Sequence, residues 1–301
     1  MERGAIQLDE LPGGLDLYTT IESGQSYLWR REDGRAYEGN GPDALGEDPP
    51  WYYTVVDGEL IRVRQLNDRL EWTGTDDVVP TIRRLLRLDD DLESIVASAP
   101  DDPLLENAYE YARGLRIVED PPFGSLISFI CSAQMRVSRI HGMVTRIAHT
   151  YGESLEVEGR TYHAFPSPEA LANATESELR DLGLGYRAPY VQRTAEMVET
   201  GEAHPEHARD RPYEEARDYL TRFVGVGEKV ADCVLLFSLG HLQAVPLDTW
   251  IRTAIEEYYP DCDRGSYGAT SAAIRERFGG EHAGYVQTYV FHWLRTGDVN
   301  V

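Results

Sequence analysis

Hydrophobic and polar positions follow two different periods along this chain, and the change of period divides it. Over roughly the first hundred residues, apolar positions come in short runs bounded by turn residues. Residues 15–18 form one such run, and Gly24-Gln25-Ser26-Tyr27-Leu28-Trp29-Arg30 follows a turn signal. Asp33-Gly34 reads as a hairpin turn, and Asp57-Gly58 is a second turn, between runs 51–56 and 59–64. The pattern predicts an antiparallel sheet, with helices after it over 79–86 and 91–97.

From about Asn107 onward the signal is helical. Residues 123–151 read as one long helix, mostly apolar on one face, opened by Pro121-Pro122 and closed by Gly152. Thr175-Glu176-Ser177-Glu178 is a capping box for a helix ending near Gly183. Gly185-Tyr186-Arg187-Ala188 turns into a further helix with Pro189 in its first turn. Two helices over 213–223 and 229–239 are joined by Val224-Gly225-Val226-Gly227-Glu228. Asp248 opens another, running to about Tyr258, and 283–294 forms a last amphipathic helix. The fold class is α+β: a twisted antiparallel β-sheet domain with helices over 1–106, then an all-α domain over 107–301.

Composition narrows the function. The 301 residues are enough for one large or two ordinary domains, and 42% hydrophobic residues argue for a packed core. No apolar run approaches bilayer length, and the N-terminus lacks a signal pattern, so a cytoplasmic protein without membrane contact is expected. Cys131, Cys233 and Cys262 are too scattered for a disulfide framework, a zinc site or an iron–sulfur cluster, and each reads as a buried apolar residue. Asp and Glu total 52 against 29 Lys and Arg, a net charge of −23. Taken alone, that argues against a nucleic-acid partner. Adaptation to high salt is the other reading, because a solvated carboxylate surface keeps a protein soluble there. All but one of the 29 basic residues are arginine, a bias that supports the second reading and singles out Lys229.

The connection Gly225-Val226-Gly227 can direct backbone N–H groups outward at a helix start, an anion site that needs no basic side chain. A lone GxG is equally an ordinary helix–helix connection. Lys229 follows it at the helix N-terminus, where the dipole and partial burial favour the neutral, nucleophilic amine. Asp248 suits an N-cap, and the helix N-terminus is expected to keep it ionised. Beside a sugar it would stabilise positive charge developing at the anomeric carbon; without one it is a cap.

Phe223-Val224-Gly225-Val226-Gly227-Glu228-Lys229-Val230-Ala231-Asp232-Cys233, followed by Ala244-Val245-Pro246-Leu247-Asp248, resembles the signature of the helix–hairpin–helix DNA glycosylases, and within them the eukaryotic-type 8-oxoguanine glycosylase/lyases. Ser23-Gly24-Gln25-Ser26-Tyr27, Ser125-Leu126-Ile127-Ser128, Arg139-Ile140-His141-Gly142, Thr161-Tyr162-His163-Ala164-Phe165-Pro166-Ser167 and Leu182-Gly183-Leu184-Gly185-Tyr186-Arg187-Ala188 fit in the same order, so the resemblance covers nearly the whole chain. It implies that Lys229 is the nucleophile and Asp248 its acidic partner. Phe291 and Cys233 would sandwich the flipped base, Gln287 would bind its Watson–Crick edge, and the Gly24 carbonyl would accept from N7–H, a donor that guanine lacks. Arg139 and Arg187 would read the orphaned cytosine, Tyr186 would wedge the duplex, and Gly225 and Gly227 would bring the hairpin to the backbone. Two positions depart from the family. Gln134 stands where it has asparagine, leaving the opposite-base preference open. Trp250 stands where it has histidine, leaving a phosphate contact open. The resemblance also implies that no redox cofactor is required, that hairpin carbonyls near Gly225 and Gly227 hold a monovalent cation, that the last helix packs back toward the first domain, and that a monomer acts on double-stranded DNA. The missing cysteine cluster argues against the iron–sulfur relatives, and Lys229 against the purely hydrolytic ones. A glycosylase for another damaged base, and a non-catalytic damage-binding module, remain as alternatives.

Overall fold

The structure is a computed structural model describing residues 1–38 and 48–297. Strands β1 (Glu2–Gln7), β2 (Arg30–Arg31), β3 (Tyr52–Val56), β4 (Glu59–Leu66) and β5 (Arg69–Gly74) form an antiparallel sheet in the order β1-β5-β4-β3-β2. Val56 pairs with Glu59, so Asp57-Gly58 is a two-residue turn, with φ of 53° and 81°. Both angles lie in the left-handed region that such hairpin turns require, which is why Asp-Gly marks them. One face of the sheet packs Tyr52, Ile61, Val63, Leu70 and Trp72 against α1 (Leu17–Glu22) and α2 (Val79–Leu85). The other face packs Tyr53, Val55 and Leu60 against a small hairpin, β6 (Ser154–Val157) and β7 (Arg160–His163), through Tyr162.

The remaining helices are α3 (Leu92–Ala97), α4 (Pro103–Tyr111), α5 (Pro122–Cys131), α6 (Val137–Tyr151), α7 (Pro168–Ala172), α8 (Glu176–Asp181), α9 (Ala188–Glu199), α10 (Tyr213–Leu220), α11 (Glu228–Ser238), α12 (Thr249–Tyr258), α13 (Tyr267–Arg277) and α14 (Ala283–Thr296). They share one core, in which α5, α11 and α14 are buried along most of their length. The capping box of α8 forms as expected, Thr175 and Glu178 each satisfying the other's backbone amide. The last helix is less amphipathic than its sequence suggests, being buried continuously from Ala283 to Val290. It does pack back toward the first hundred residues. The Tyr285 hydroxyl donates to Asp90 at 2.5 Å, and Arg295 donates to the Glu22 carbonyl at 3.0 Å.

Several expectations are corrected. The run 15–18 leads into helix α1, not a strand, because Asp16 caps it by accepting from the Thr19 amide at 2.8 Å. Of the segment 24–30, only Arg30 is in a strand. Gln25 holds it instead, donating to the Thr20 and Arg116 carbonyls at 2.8 and 2.7 Å and accepting from the Val118 amide at 2.9 Å. The helix expected over 123–151 is two helices, broken between Cys131 and Val137 with Gln134 at φ 54°. Helix α10 ends at Leu220 rather than at 223, because residues 221–227 make the hairpin, closed by the Val226 amide on the Phe223 carbonyl at 3.1 Å. The β6–β7 hairpin lies inside a stretch read as helical.

Candidate active site

The break between α5 and α6, the N-terminus of α11, the cap of α12 and the outer turn of α14 surround one cavity of about 830 Å³. Gly24, Gln134, Gly225, Gly227, Lys229, Cys233, Asp248, Trp250, Gln287 and Phe291 all line it, so ten of the residues singled out from sequence meet there. The volume falls in the range typical of ligand sites and exceeds what one purine needs.

Lys229 stands in the first turn of α11, half-buried, with Nζ 5.8 Å from the Phe129 ring centre. Cys233 follows one turn later on the same face. Burial pushes its thiol up to about 11, against the pull of the Lys229 charge. The thiol is therefore protonated at neutral pH and acts as an apolar wall. Asp248 caps α12, accepting from the Ile251 amide at 2.8 Å. The helix N-terminus expected to keep it ionised is opposed here by burial. Burial of the carboxyl raises its pKa above the usual aspartate value, outweighing the amides of Ile251 and Trp250 and the charge of Lys229.

Gly24 has φ 101°, and a side chain there would meet Val137 at 3.2 Å and Phe291 at 3.5 Å. Glycine is thus favoured by its backbone angle and by the close approach of the Val137 side chain, while the Phe291 ring lies at ordinary contact distance. Gln287 is buried one turn before Phe291 on α14. Gly225 has φ 84°, and a side chain there would strike the Tyr190 ring at 2.6 Å. Gly227, the N-cap of α11, has open space where a Cβ would stand, so its backbone faces outward unobstructed.

Three expected residues lie outside the cavity wall. Arg139 is exposed on the first turn of α6. Tyr186 is also exposed, its ring 4.3 Å from the Arg187 guanidinium carbon. Arg187 itself is buried, and its Nη2 donates to the Ala133 carbonyl, bracing the loop that carries Gln134. Arg187 thus lies beneath Tyr186, against the loop that carries Gln134.

Other residues at the site escaped sequence reasoning. Arg295 lines the cavity with its guanidinium 5.5 Å from the Phe291 ring centre, and its charge draws the Asp248 pKa down. Behind the wall, Asp232 accepts from Tyr213 and Tyr267 hydroxyls, both at 2.7 Å, and the Tyr267 hydroxyl accepts from the Leu247 amide at 3.2 Å. That chain ties α11 to the residue before Asp248. Its signal in sequence was an aspartate among apolar positions of a buried helix, which demands partners.

Residues 127–279 match the family model of the HhH-GPD superfamily base excision DNA repair proteins, and residues 7–126 match the N-terminal domain of 8-oxoguanine DNA glycosylase. A probable N-glycosylase/DNA lyase of Methanothermobacter thermautotrophicus is 33% identical over 65% of this chain and 68% of its own length. The N-glycosylase/DNA lyase of Saccharomyces cerevisiae is 32% identical over 81% of this chain and 68% of its own. The 8-oxoguanine glycosylase/lyase of Clostridium acetobutylicum, solved with double-stranded DNA containing cytosine opposite 8-oxoguanine, superposes with a TM-score of 0.81 and 27% identity, covering 95% of this chain and 93% of that one.

Proposed function

This chain belongs to the HhH-GPD superfamily of base excision DNA repair proteins, and from that membership we propose that it excises 8-oxoguanine from duplex DNA and then cleaves the strand as a lyase. The observation that carries the reading is a single primary amine, Lys229, in the wall of a purine-sized cavity it shares with Asp248, Gly24, Gln287 and Phe291. A damage-binding module needs the cavity but neither the amine nor the buried carboxyl.

In this reading the extruded base enters between Phe291 and Cys233, whose protonated thiol gives an uncharged face. Gln287 meets its Watson–Crick edge. The Gly24 carbonyl accepts from N7–H of the lesion and repels the N7 lone pair of guanine, a discrimination worth about 1–3 kcal/mol. The neutral Lys229 amine attacks C1′, and the bond to N9 breaks with its electron pair going to the base. Asp248 stabilises the positive charge that develops on the sugar. The attached nitrogen loses a proton, the sugar ring opens at O4′ to a Schiff base, and loss of a C2′ proton expels the 3′ phosphate.

Gly225 and Gly227 present backbone amides to the DNA, with Arg139, Gln134, Tyr186 and Trp250 around the opened duplex. Arg187 acts through the loop it braces. Gln134 has one methylene more than the asparagine of the family, which leaves the preference for cytosine opposite the lesion open to measurement. The protein acts as a monomer. A monovalent cation fits the hairpin because its oxygens there are neutral carbonyls: among the described residues the Val224 carbonyl meets only the Thr194 hydroxyl, at 3.4 Å, and keeps capacity for a ligand. It would orient the hairpin carbonyls and takes no part in bond breaking.

Borohydride reduction during reaction with a duplex carrying 8-oxoguanine opposite cytosine should trap a covalent protein–DNA complex. Lys229→Gln should abolish the trap and retain binding. Trapping that persists in this variant refutes the nucleophile.

A further inference from the structure

A second cavity, of about 580 Å³, is lined by Arg30, Glu32, His141, Thr145, His149 and Tyr162, among others, between the sheet, the β6–β7 hairpin and α6. Arg30 is only 4% exposed, and among the described residues it forms no ion pair. Its guanidinium donates from Nη1 to the His163 carbonyl at 2.7 Å. Nε and Nη2 are buried without a partner, as are Thr145 Oγ1 and His163 Nδ1. The ring of Tyr53 lies 5.8 Å from the guanidinium carbon, and its side chain supports the Arg30 charge without carrying the formal counter-charge of a carboxylate.

This chain satisfies another buried arginine quite differently. Arg116, fully buried, donates from Nε to Gly14, from Nη1 to Arg87 and Asp90, and from Nη2 to Pro12, all backbone carbonyls. The carboxylates near Arg30 are already engaged. Glu32 is paired with Arg62 and Arg160, and Glu22 and Asp33 with Arg31. Burial pushes the pKa of both His141 and His149 down, against the Trp29 carbonyl for His141 and together with His163 for His149, and the Arg30 charge adds to the lowering of both. A buried cation without a counter-charge is strongly unfavourable.

We propose that this cavity binds one phosphate group, gripped side-on by Arg30 Nε and Nη2, with the Thr145 hydroxyl as third donor. The two orphaned nitrogens form one edge of the guanidinium, the fork whose two parallel N–H groups match two oxygens of a tetrahedral oxyanion. Both are covered, so the anion reaches them through a side-chain adjustment in the cavity wall. The group is either free orthophosphate or a backbone phosphodiester of DNA. The site is separate from the Lys229 cavity and does not depend on the excision reading.

The test uses the full chain in a phosphate-free buffer. Sodium phosphate is titrated against sodium chloride at matched ionic strength, reading the His149 and His163 ring proton resonances and the melting temperature. A saturable shift specific to phosphate is expected. Thr145→Val should weaken it about tenfold, the loss of one hydrogen bond to a charged group. Arg30→Lys, which keeps the charge and loses the fork, should weaken it further. A phosphate response no larger than that of chloride overturns the site, as does unchanged affinity in a folded Thr145→Val. A plain duplex that shifts the same resonances and competes with phosphate identifies a DNA phosphodiester. A duplex that binds without competing identifies free phosphate, and both outcomes support the site.

Discussion

Asp248 shows how one residue can hold a structural and a chemical task that substitution separates. Its carboxyl caps α12 through the Ile251 amide, and asparagine caps almost equally well. Asp248→Asn should therefore leave stability within about 0.5 kcal/mol while slowing single-turnover excision by roughly a hundredfold, the scale of a lost electrostatic stabiliser. A variant that excises at the normal rate reduces Asp248 to a cap. Asp120 offers a second residue-level test. It is buried with Oδ1 unpartnered, and burial, opposed by a hydrogen bond from Ser26, raises its carboxyl to about 7. Between the ordinary aspartate value of 3.8 and about 7, the native state holds a proton that the unfolded chain has lost. Its contribution to stability therefore falls as pH rises through that window. Asp120→Asn should gain on the parent protein by on the order of 1 kcal/mol per pH unit, measured by urea denaturation at pH 5, 6 and 7. A difference that stays constant with pH contradicts the raised value. Lys229 was legible because it is the one lysine and sits beside a hairpin. Arg187 was not, since nothing in Tyr186-Arg187-Ala188 tells a base-reading arginine from one turned inward to the Ala133 carbonyl.

Elements were legible where a local signal forms them and illegible where tertiary contacts do. Capping residues marked α8 and α12, and Asp-Gly marked the β3–β4 turn. The break between α5 and α6 had no such signal. Apolar positions continue on both sides of it with no glycine or proline between Ser132 and Arg136, and the left-handed Gln134 is stabilised only in the folded site. That break is functional, for it delivers Gln134 to the cavity. The β6–β7 strands, four residues each, are too short to establish a period and depend on Tyr162 packing against Tyr53, ring centres 4.9 Å apart. Between elements, the Asp232–Tyr267–Leu247 chain fixes where α12 begins relative to α11. Tyr267→Phe removes one donor from a buried carboxyl and the acceptor of a backbone amide, so it should cost about 1–3 kcal/mol. It should also slow excision by loosening Asp248, while binding of the lesion duplex stays near normal. Loss of stability with excision unchanged would make the chain a purely structural brace.

At the scale of the whole molecule, the charge of −23 and the DNA reading pull against each other. A glycosylase that grips phosphates through six to ten lysines and arginines loses roughly 10³ to 10⁵ in affinity between 50 and 200 mM salt, because bound counterions are released. Here many of the arginines are paired with carboxylates, as in Arg62–Glu32, Arg64–Glu71 and Arg87–Glu119, and cannot serve phosphates without breaking those pairs. Around the cavity the outward backbone of Gly225 and Gly227 at the start of α11 and the exposed ring of Trp250 stand beside only three arginines, Arg136, Arg252 and Arg295, which form no ion pair among the described residues. Amide dipoles and stacking release few counterions, and long-range repulsion from the carboxylate surface weakens as salt shortens the Debye length from about 30 Å at 0.01 M to about 3 Å at 1 M. Affinity for a lesion duplex should therefore fall less steeply over that interval than it does for a basic glycosylase with six to ten phosphate contacts. Excision should be fastest well above zero added salt, which is the behaviour of a salt-adapted enzyme. Measuring binding and single-turnover excision from 0.05 to 2 M potassium chloride decides the matter: a rate that peaks without added salt and collapses by 0.2 M would mean that ordinary arginine–phosphate contacts hold the DNA.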